Sequence, residues 1–146
     1  MPASFHMYTD LAWAWPLISP PEEYEQEAED FQQLLLAHTR RPLRTLLHLG
    51  CGGGHLDHWL QSHFAITGVD ISPELLRLAQ QLNPGVTYLP GDMRSLRLQK
   101  VFDAVVIADS IAYMLSEAEL LQAFQTAYAH LAAGGVFITY VETALE

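Results

Sequence analysis

Cysteine is almost missing from this chain. Cys51 is the only one in 146 residues, so no disulfide can form within it, and a reducing, cytoplasmic setting is expected. Cations are scarce as well: 7 Lys and Arg stand against 17 Asp and Glu, giving a formal net charge of -10 and a pI near 4.9. Phosphate backbones are bound by clustered Lys and Arg, so nucleic acid is not an expected partner. No basic residue precedes Arg40, and the apolar run Leu11 to Ile18 is short and broken by Pro16, which excludes a signal peptide or membrane span there. Internal repeats and low-complexity tracts are also lacking. What is present is a chain half hydrophobic by composition and long enough for one domain with a substantial core.

That chain is organised around Leu46 to His58, LLHLGCGGGHLDH. An apolar run reading as a buried parallel strand stops at Gly50-Cys51-Gly52-Gly53-Gly54, and an amphipathic segment starts at His55. A strand, a glycine turn and a helix in succession let a ligand lie directly on backbone N–H groups, because no Cβ stands in the way. The dinucleotide fingerprint requires a third glycine three positions after the second, where this chain has His55 or Asp57 according to register. No Lys-Ser or Lys-Thr pair follows, so the turn is not a triphosphate-binding P-loop either. The next apolar run, Ala65 to Asp70, ends in a carboxylate able to accept both hydroxyls of a ribose.

Five pieces in this order resemble the class I S-adenosylmethionine-dependent methyltransferases: GCGGG, GVDIS (Gly68 to Ser72), GDM (Gly91 to Met93), FDAVVIADSIAYM (Phe102 to Met114) and LAAGGVFITY (Leu131 to Tyr140). The resemblance runs from about Tyr8 to Val141 and implies S-adenosyl-L-methionine as cofactor and a small-molecule N or O acceptor; HLDHWL, NPGVTYLPGDMR and DSIAYM are most similar to amino-sugar N-methyltransferases. It implies Gly50, Cys51 and Gly52 against the methionine part, Asp70 on the ribose, Asp92 and Met93 around the adenine, and Asp109, Ser110 and Tyr113 beside the methyl group, with Ile71 a further cofactor-binding residue. Asp109 and Tyr113 are the catalytic candidates, Asp109 as a proton acceptor. Tyr8, in YTDLA, resembles the opening of a lid over the cofactor, with His6 a weaker substrate-side candidate. One departure stands out: His48 occupies the position where the family usually has an acid that helps hold the cofactor's ammonium. Alternatives are a non-catalytic cofactor-binding module and, less favoured, an NAD-linked oxidoreductase.

The alternation of strands and helices implies an α/β fold, a Rossmann-like doubly wound, mostly parallel sheet of about five strands with helices on both faces, and the resemblance implies the strand order 3-2-1-4-5. Residues 1–40 read as an aromatic arm and helix, and 41–146 as a cofactor-binding core that is short at its C-terminal end. In the arm, Trp13 and Trp15 are expected to dock on the sheet. Ser19 is the expected cap of a helix with Pro20 and Pro21 in its first turn and a stripe of Tyr24, Ala28, Phe31, Leu35 and His38. The acidic run Glu22 to Asp30 is its solvated face. Further helices are expected at His55 to Ser62, from Ser72 to about Leu82, and from a capping box at Ser116 to Leu131; strands are expected at Val86 to Leu89, Phe102 to Ala108 and Val136 to Val141. Leu120, Leu121, Phe124, Tyr128 and Leu131 are the expected core stripe of the last helix, ended by Gly134 and Gly135. His55, His58 and His63 lack further ligands at zinc spacing, so no metal site is expected. The strand Val136 to Val141 carries no edge protection, so a homodimer through it is expected.

Overall fold

The computed structural model describes residues 9–141. Five parallel strands, β1 Thr45–Leu49, β2 Ala65–Asp70, β3 Thr87–Pro90, β4 Phe102–Ile107 and β5 Leu131–Thr139, form one sheet in the order β3-β2-β1-β4-β5. The order reverses between β1 and β4, which opens a crevice at the strand carboxyl ends. The helices are α1 Trp15–Ile18, α2 Glu25–His38, α3 His55–Leu60, α4 Pro73–Leu82 and α5 Glu117–Ala129.

Two cores follow from the period of two along the strands. Leu46 points with Ile66, Ala104 and Val106 toward Ala28, Phe31 and Leu35 of α2 and Leu56 and Leu60 of α3. Leu47 and Leu49 point the other way, with Val105 and Ile107, onto Ala123 and Ala127 of α5. At the opposite end of the sheet Asp103 clamps the start of β1. It accepts from the backbone N–H groups of Arg44 (2.9 Å) and Thr45 (3.0 Å) and pairs with Arg41 at 2.8 Å.

Several boundaries differ from expectation. Pro21–Tyr24 is a 3-10 turn before α2, and Ser19 does not cap the helix; its hydroxyl meets the Tyr24 hydroxyl at 2.9 Å. His38 is exposed, its ring on the Leu34 carbonyl. α3 stops at Leu60, β3 is shifted by one residue, and β4 ends at Ile107. Ser72 does cap α4, accepting from the Leu75 N–H at 3.2 Å. Ser116 likewise accepts from Glu119 N–H, but the Glu119 carboxylate reaches back to Leu115 N–H, one residue beyond a standard capping box.

The largest correction concerns α5 and β5. The helix ends at Ala129 because His130 turns inward: it is 1% exposed, Nδ1–H donates to the Thr126 carbonyl at 2.7 Å and Nε2 accepts from Leu98 N–H at 2.9 Å. β5 then starts at Leu131, with a register shift opposite Phe102 and Ala104 that absorbs Gly134 and Gly135. The buried side of α5 is Ala123, Thr126 and Ala127, whose small side chains let the helix sit close to the sheet. Of the expected stripe, Leu120 and Leu131 pack against the core on this face and Phe124 lays its ring on Phe137 of β5 at 5.7 Å, whereas Leu121 and Tyr128 face outward, Tyr128 at 83% exposure. Trp13 is likewise exposed, while Trp15 rests on the glycine turn instead of the sheet, 3.2 Å from where a Gly53 Cβ would stand.

Candidate functional site

The carboxyl ends of the strands and the segments after them surround a cleft of about 580 Å³. Its floor is the glycine turn. Gly50 and Gly52 have φ of +71° and +58°, and the turn hangs from β2 through the N–H groups of Gly50 and Cys51 on the Val69 carbonyl, at 2.7 and 3.0 Å. Gly50 allows close approach as well, since a Cβ there would stand 2.2 Å from Ser110 Oγ. Asp70 joins the two neighbouring segments. Its Oδ2 accepts from Gly52 N–H at 2.8 Å and its Oδ1 from Ser72 N–H at 2.9 Å. Burial raises the pKa of this carboxyl, while the Ser72 and Gly52 amides and the nearby His48 oppose the rise.

Of the residues singled out in the sequence, His48, Gly50, Cys51, Gly52, Asp70, Ile71, Asp92, Met93, Asp109, Ser110 and Tyr113 all border this cleft. Tyr8 and His6 lie outside the described residues. Ile71 is 68% exposed at the mouth. Asp92 is held by Arg94, whose Nη2 donates at 2.6 Å; that bond keeps the Asp92 carboxyl below the usual range. Ser110 Oγ donates to the Leu49 carbonyl at 3.4 Å, which ties the segment after β4 to the end of β1. Burial alone raises the Tyr113 phenol. The Cys51 thiol is raised far more, by burial first and then by Asp57 and Asp70.

Other residues around the cleft were not singled out in advance: Trp15, Tyr24, Glu27, His55, Glu119 and Tyr140. Glu27 is the instructive one. It lies in the acidic run read as solvated, yet it turns toward the cleft and accepts a hydrogen bond from the Tyr140 hydroxyl. The signal was available, because position 27 stands three after Tyr24 and four before Phe31 on the buried stripe. His55 is 4% exposed between the rings of Trp15 and Tyr24, and burial lowers its pKa.

Beneath the floor, His48 is 2% exposed and its Nδ1 lies 2.6 Å from Oδ1 of Asp57, itself fully buried on α3. Tyr88 donates its hydroxyl to Asp57 Oδ2 at 2.9 Å, and Asn83 donates to Tyr88 at 3.0 Å and to the Gly54 carbonyl at 2.8 Å. Tyr88 reaches Asp57 by lying flat on Gly68, where a Cβ would stand 2.4 Å from its ring. Among the described residues no group of three His, Cys, Asp or Glu is arranged to hold a metal ion, and no helix is long and apolar enough to cross a membrane.

A parallel sheet in this order, with a glycine turn after β1 and a carboxylate closing β2, is the architecture of a nucleoside-binding α/β enzyme fold. A family model described as "Methyltransferase domain" matches residues 46–135, and the chain belongs to that family, the class I S-adenosylmethionine-dependent methyltransferases. It is 33% identical over 119 residues to dTDP-3-amino-3,6-dideoxy-alpha-D-glucopyranose N,N-dimethyltransferase of Streptomyces fradiae, covering 80% of this chain and 46% of that protein. With dTDP-3-amino-3,4,6-trideoxy-alpha-D-glucopyranose N,N-dimethyltransferase of Streptomyces venezuelae the identity is 34%, over 80% of this chain and 50% of the other. The crystal structure of Streptomyces venezuelae DesVI superposes with a TM-score of 0.84 at 30% identity, over 92% of this chain and 58% of that one. An S-adenosylmethionine-bound amino pentose methyltransferase from Micromonospora echinaspora gives 0.78 at 32%, over 82% and 51%. The chain therefore spans about half the length of the curated relatives it matches.

Proposed function

We propose that this chain is the cofactor-binding part of an enzyme that moves a methyl group from S-adenosylmethionine to the amine nitrogen of a small molecule, an amino sugar foremost. The observation that carries the reading is Asp70, a buried carboxylate facing the cleft and already fixed by two backbone amides. The binding core lies within residues 45–139, and Trp15, Tyr24 and Glu27 from the segment before it contribute to its cover. Relatives whose names specify amino-sugar N,N-dimethylation support the acceptor class. A buried thiol and an acidic surface suit a reducing, cytoplasmic setting without a nucleic-acid partner.

The residues present fit the cofactor. The glycine turn leaves open space above Gly52, Asp70 has capacity left for a ribose, and the Ile71 and Met93 side chains offer apolar surface for a base. Bound there, S-adenosylmethionine supplies an electrophilic methyl group together with its own leaving group. The protein's task is then proximity, orientation and exclusion of water. Asp70 fixes the ribose end, the Gly50 to Gly52 backbone supports the amino-acid end, and Ser110 holds the segment that carries Asp109 and Tyr113 against β1. Asp109 is the carboxylate at the rim that takes a proton from an ammonium acceptor, leaving the amine lone pair free to attack.

Calorimetry with S-adenosylmethionine, S-adenosylhomocysteine and NAD tests the first half of this reading. Binding of the first two and not the third is expected; binding of NAD alone would discard it. Release of S-adenosylhomocysteine in the presence of nucleotide-linked amino sugars, and not of their hydroxyl counterparts, tests the second.

A further inference from the structure

Among the described residues six carboxylates line the cleft, and their partners sort them. Asp70 is held by two backbone amides, Glu74 by the Ser72 hydroxyl at 3.3 Å, and Asp92 and Glu119 by Arg94. Asp109 stands at the rim after β4. Glu27 differs from all of these. It is half-buried, its one hydrogen bond among the described residues comes from the neutral Tyr140 hydroxyl, and no Lys or Arg there meets it. The His48 imidazole feels its charge but is bonded to Asp57 instead. A carboxylate offers about four lone-pair sites, and Tyr140 takes one of them, on Oε1. Most of the accepting capacity of Glu27, and its charge, is thus left for something in the cleft.

Strand order places that capacity. In the order β3-β2-β1-β4-β5, the residues fitted to the nucleoside, Asp70, Ile71, Asp92 and Met93, belong to the β2 and β3 side. Glu27 belongs to the other side. It precedes Ala28 on α2, which packs with Phe31 onto Leu46, Ala104, Val106, Val136 and Ile138 of β1, β4 and β5. Tyr140 follows β5 directly, and its ring centre lies 5.6 Å from that of Phe31. A helix and a strand end therefore hold this carboxylate in the part of the cleft that the nucleoside leaves open.

We infer that Glu27 is the residue that holds the acceptor's amine, and that Tyr140 is its positioning residue. That role presupposes the methyl-transfer reading above and adds to it the group that selects an amine. An aliphatic amine enters as an ammonium near neutral pH, so a fixed carboxylate favours it over a hydroxyl by charge as well as by hydrogen bonding. The Tyr140 hydroxyl fixes the rotation of the carboxylate and leaves Oε2 to the amine. Glu27 and Asp109 then divide the work: Glu27 keeps one N–H while Asp109 takes the proton whose loss frees the lone pair. In the transfer that lone pair forms the new nitrogen–carbon bond, the carbon–sulfur bond breaks, and its electron pair stays on sulfur. The nitrogen carries the positive charge until it sheds a further proton to solvent.

The test is titration calorimetry near neutral pH on the chain saturated with S-adenosylhomocysteine. The probes are an aminodeoxyglucose linked to thymidine diphosphate and its hydroxyl counterpart, thymidine diphosphate glucose, on the native protein, Glu27→Gln and Tyr140→Phe. The native protein should prefer the amine by roughly tenfold or more, the effect of a hydrogen bond to a charged group. Glu27→Gln should lose most of that preference by weakening the amine alone, and Tyr140→Phe, which keeps the ring on Phe31, should lose part of it. Both variants should bind S-adenosylhomocysteine as the native protein does, which also shows that they fold. If Glu27→Gln keeps the preference, another group selects the amine and the assignment is overturned. If that variant instead loses affinity for S-adenosylhomocysteine, Glu27 serves the cofactor and the assignment is overturned as well. A preference lost in Glu27→Gln but intact in Tyr140→Phe removes the positioning role of Tyr140. A native protein that binds S-adenosylhomocysteine but does not distinguish the two sugars defeats the amine-acceptor reading and this assignment with it, while one that binds no S-adenosylhomocysteine defeats the cofactor reading itself.

Discussion

The backbone amide of Gly52 donates to Asp70 at 2.8 Å, so the glycine turn after β1 and the carboxylate closing β2 are one rigid piece. Asp70 therefore has a scaffold role beside its proposed ligand role, and substitution there acts on both. Asp70→Ala should weaken S-adenosylhomocysteine binding by roughly 1.5 to 3 kcal/mol, the range for a charged acceptor, and Asp70→Asn by less, because one amide acceptor remains. Calorimetry decides: equal affinity in native protein and both variants would remove Asp70 from the site.

The two positive-φ glycines on either side of Cys51 should part company. A Cβ on Gly50 would meet Ser110 Oγ at 2.2 Å and Met93 Cε at 2.9 Å, whereas one on Gly52 meets nothing within 4 Å. Both alanine variants carry backbone strain of about 1 to 2 kcal/mol. Gly50→Ala should lose further stability in urea unfolding, while Gly52→Ala should stay near the strain value and lose affinity for the cofactor instead. Equal stability losses would contradict the packing described for Gly50.

Asp103 gives the fold an acid limit. Burial pushes its carboxyl up, but the Thr45 and Arg44 amides, the Thr45 hydroxyl and Arg41 together hold it below its ordinary value. A depressed folded-state pKa adds stability that is complete above the unfolded value near 3.9 and disappears as pH falls through the lower, folded value. Asp103→Asn should destabilise the protein by about 1 to 3 kcal/mol at pH 7 and flatten the stability profile below about pH 4. An unchanged acid limb in the variant would assign that slope to other carboxylates.

β5 pairs with β4 alone among the described residues, and the helix beside it turns Leu121 and Tyr128 outward. We expect a second copy of the chain to cover this edge, since an unpaired strand edge with apolar neighbours seeks a partner. Ile138 is a poor probe because it packs against the α2 side of the core. Tyr128→Lys combined with Val141→Lys, both at exposed positions, should shift the chain toward monomer in light scattering coupled to size exclusion. A native chain that is monomeric at high concentration would defeat this expectation.

Much of this was legible in the sequence because parallel strands are buried on both faces and read as apolar runs. The strands and the glycine turn followed from that pattern, and the order of the strands from the resemblance to a known family. The outer face of α5 did not. Leu121 and Tyr128 have helical spacing and the right chemistry for a core, but the sheet is approached by Ala123 and Ala127, with Phe124 reaching only Phe137 at the edge strand, and periodicity cannot say which of two apolar sides is inward. The end of that helix was missed because Gly134 and Gly135 looked like its stop, whereas a single buried histidine, His130, ends it earlier through two side-chain hydrogen bonds. His48 was visible as a substitution at an acidic position, but its partner was not: Asp57 lies on another element, and only the packing of α3 against β1 brings the two together.

Cys51 has one more consequence. A sulfonium cofactor alkylates thiolates readily, and Cys51, a buried residue 6% exposed, lies in the bed where such a cofactor would rest. Burial and the Asp57 and Asp70 charges keep it protonated at any physiological pH. The two carboxylates that brace the glycine turn, Asp57 beneath it and Asp70 beside it, thus also hold the chain's one thiol in its less nucleophilic form.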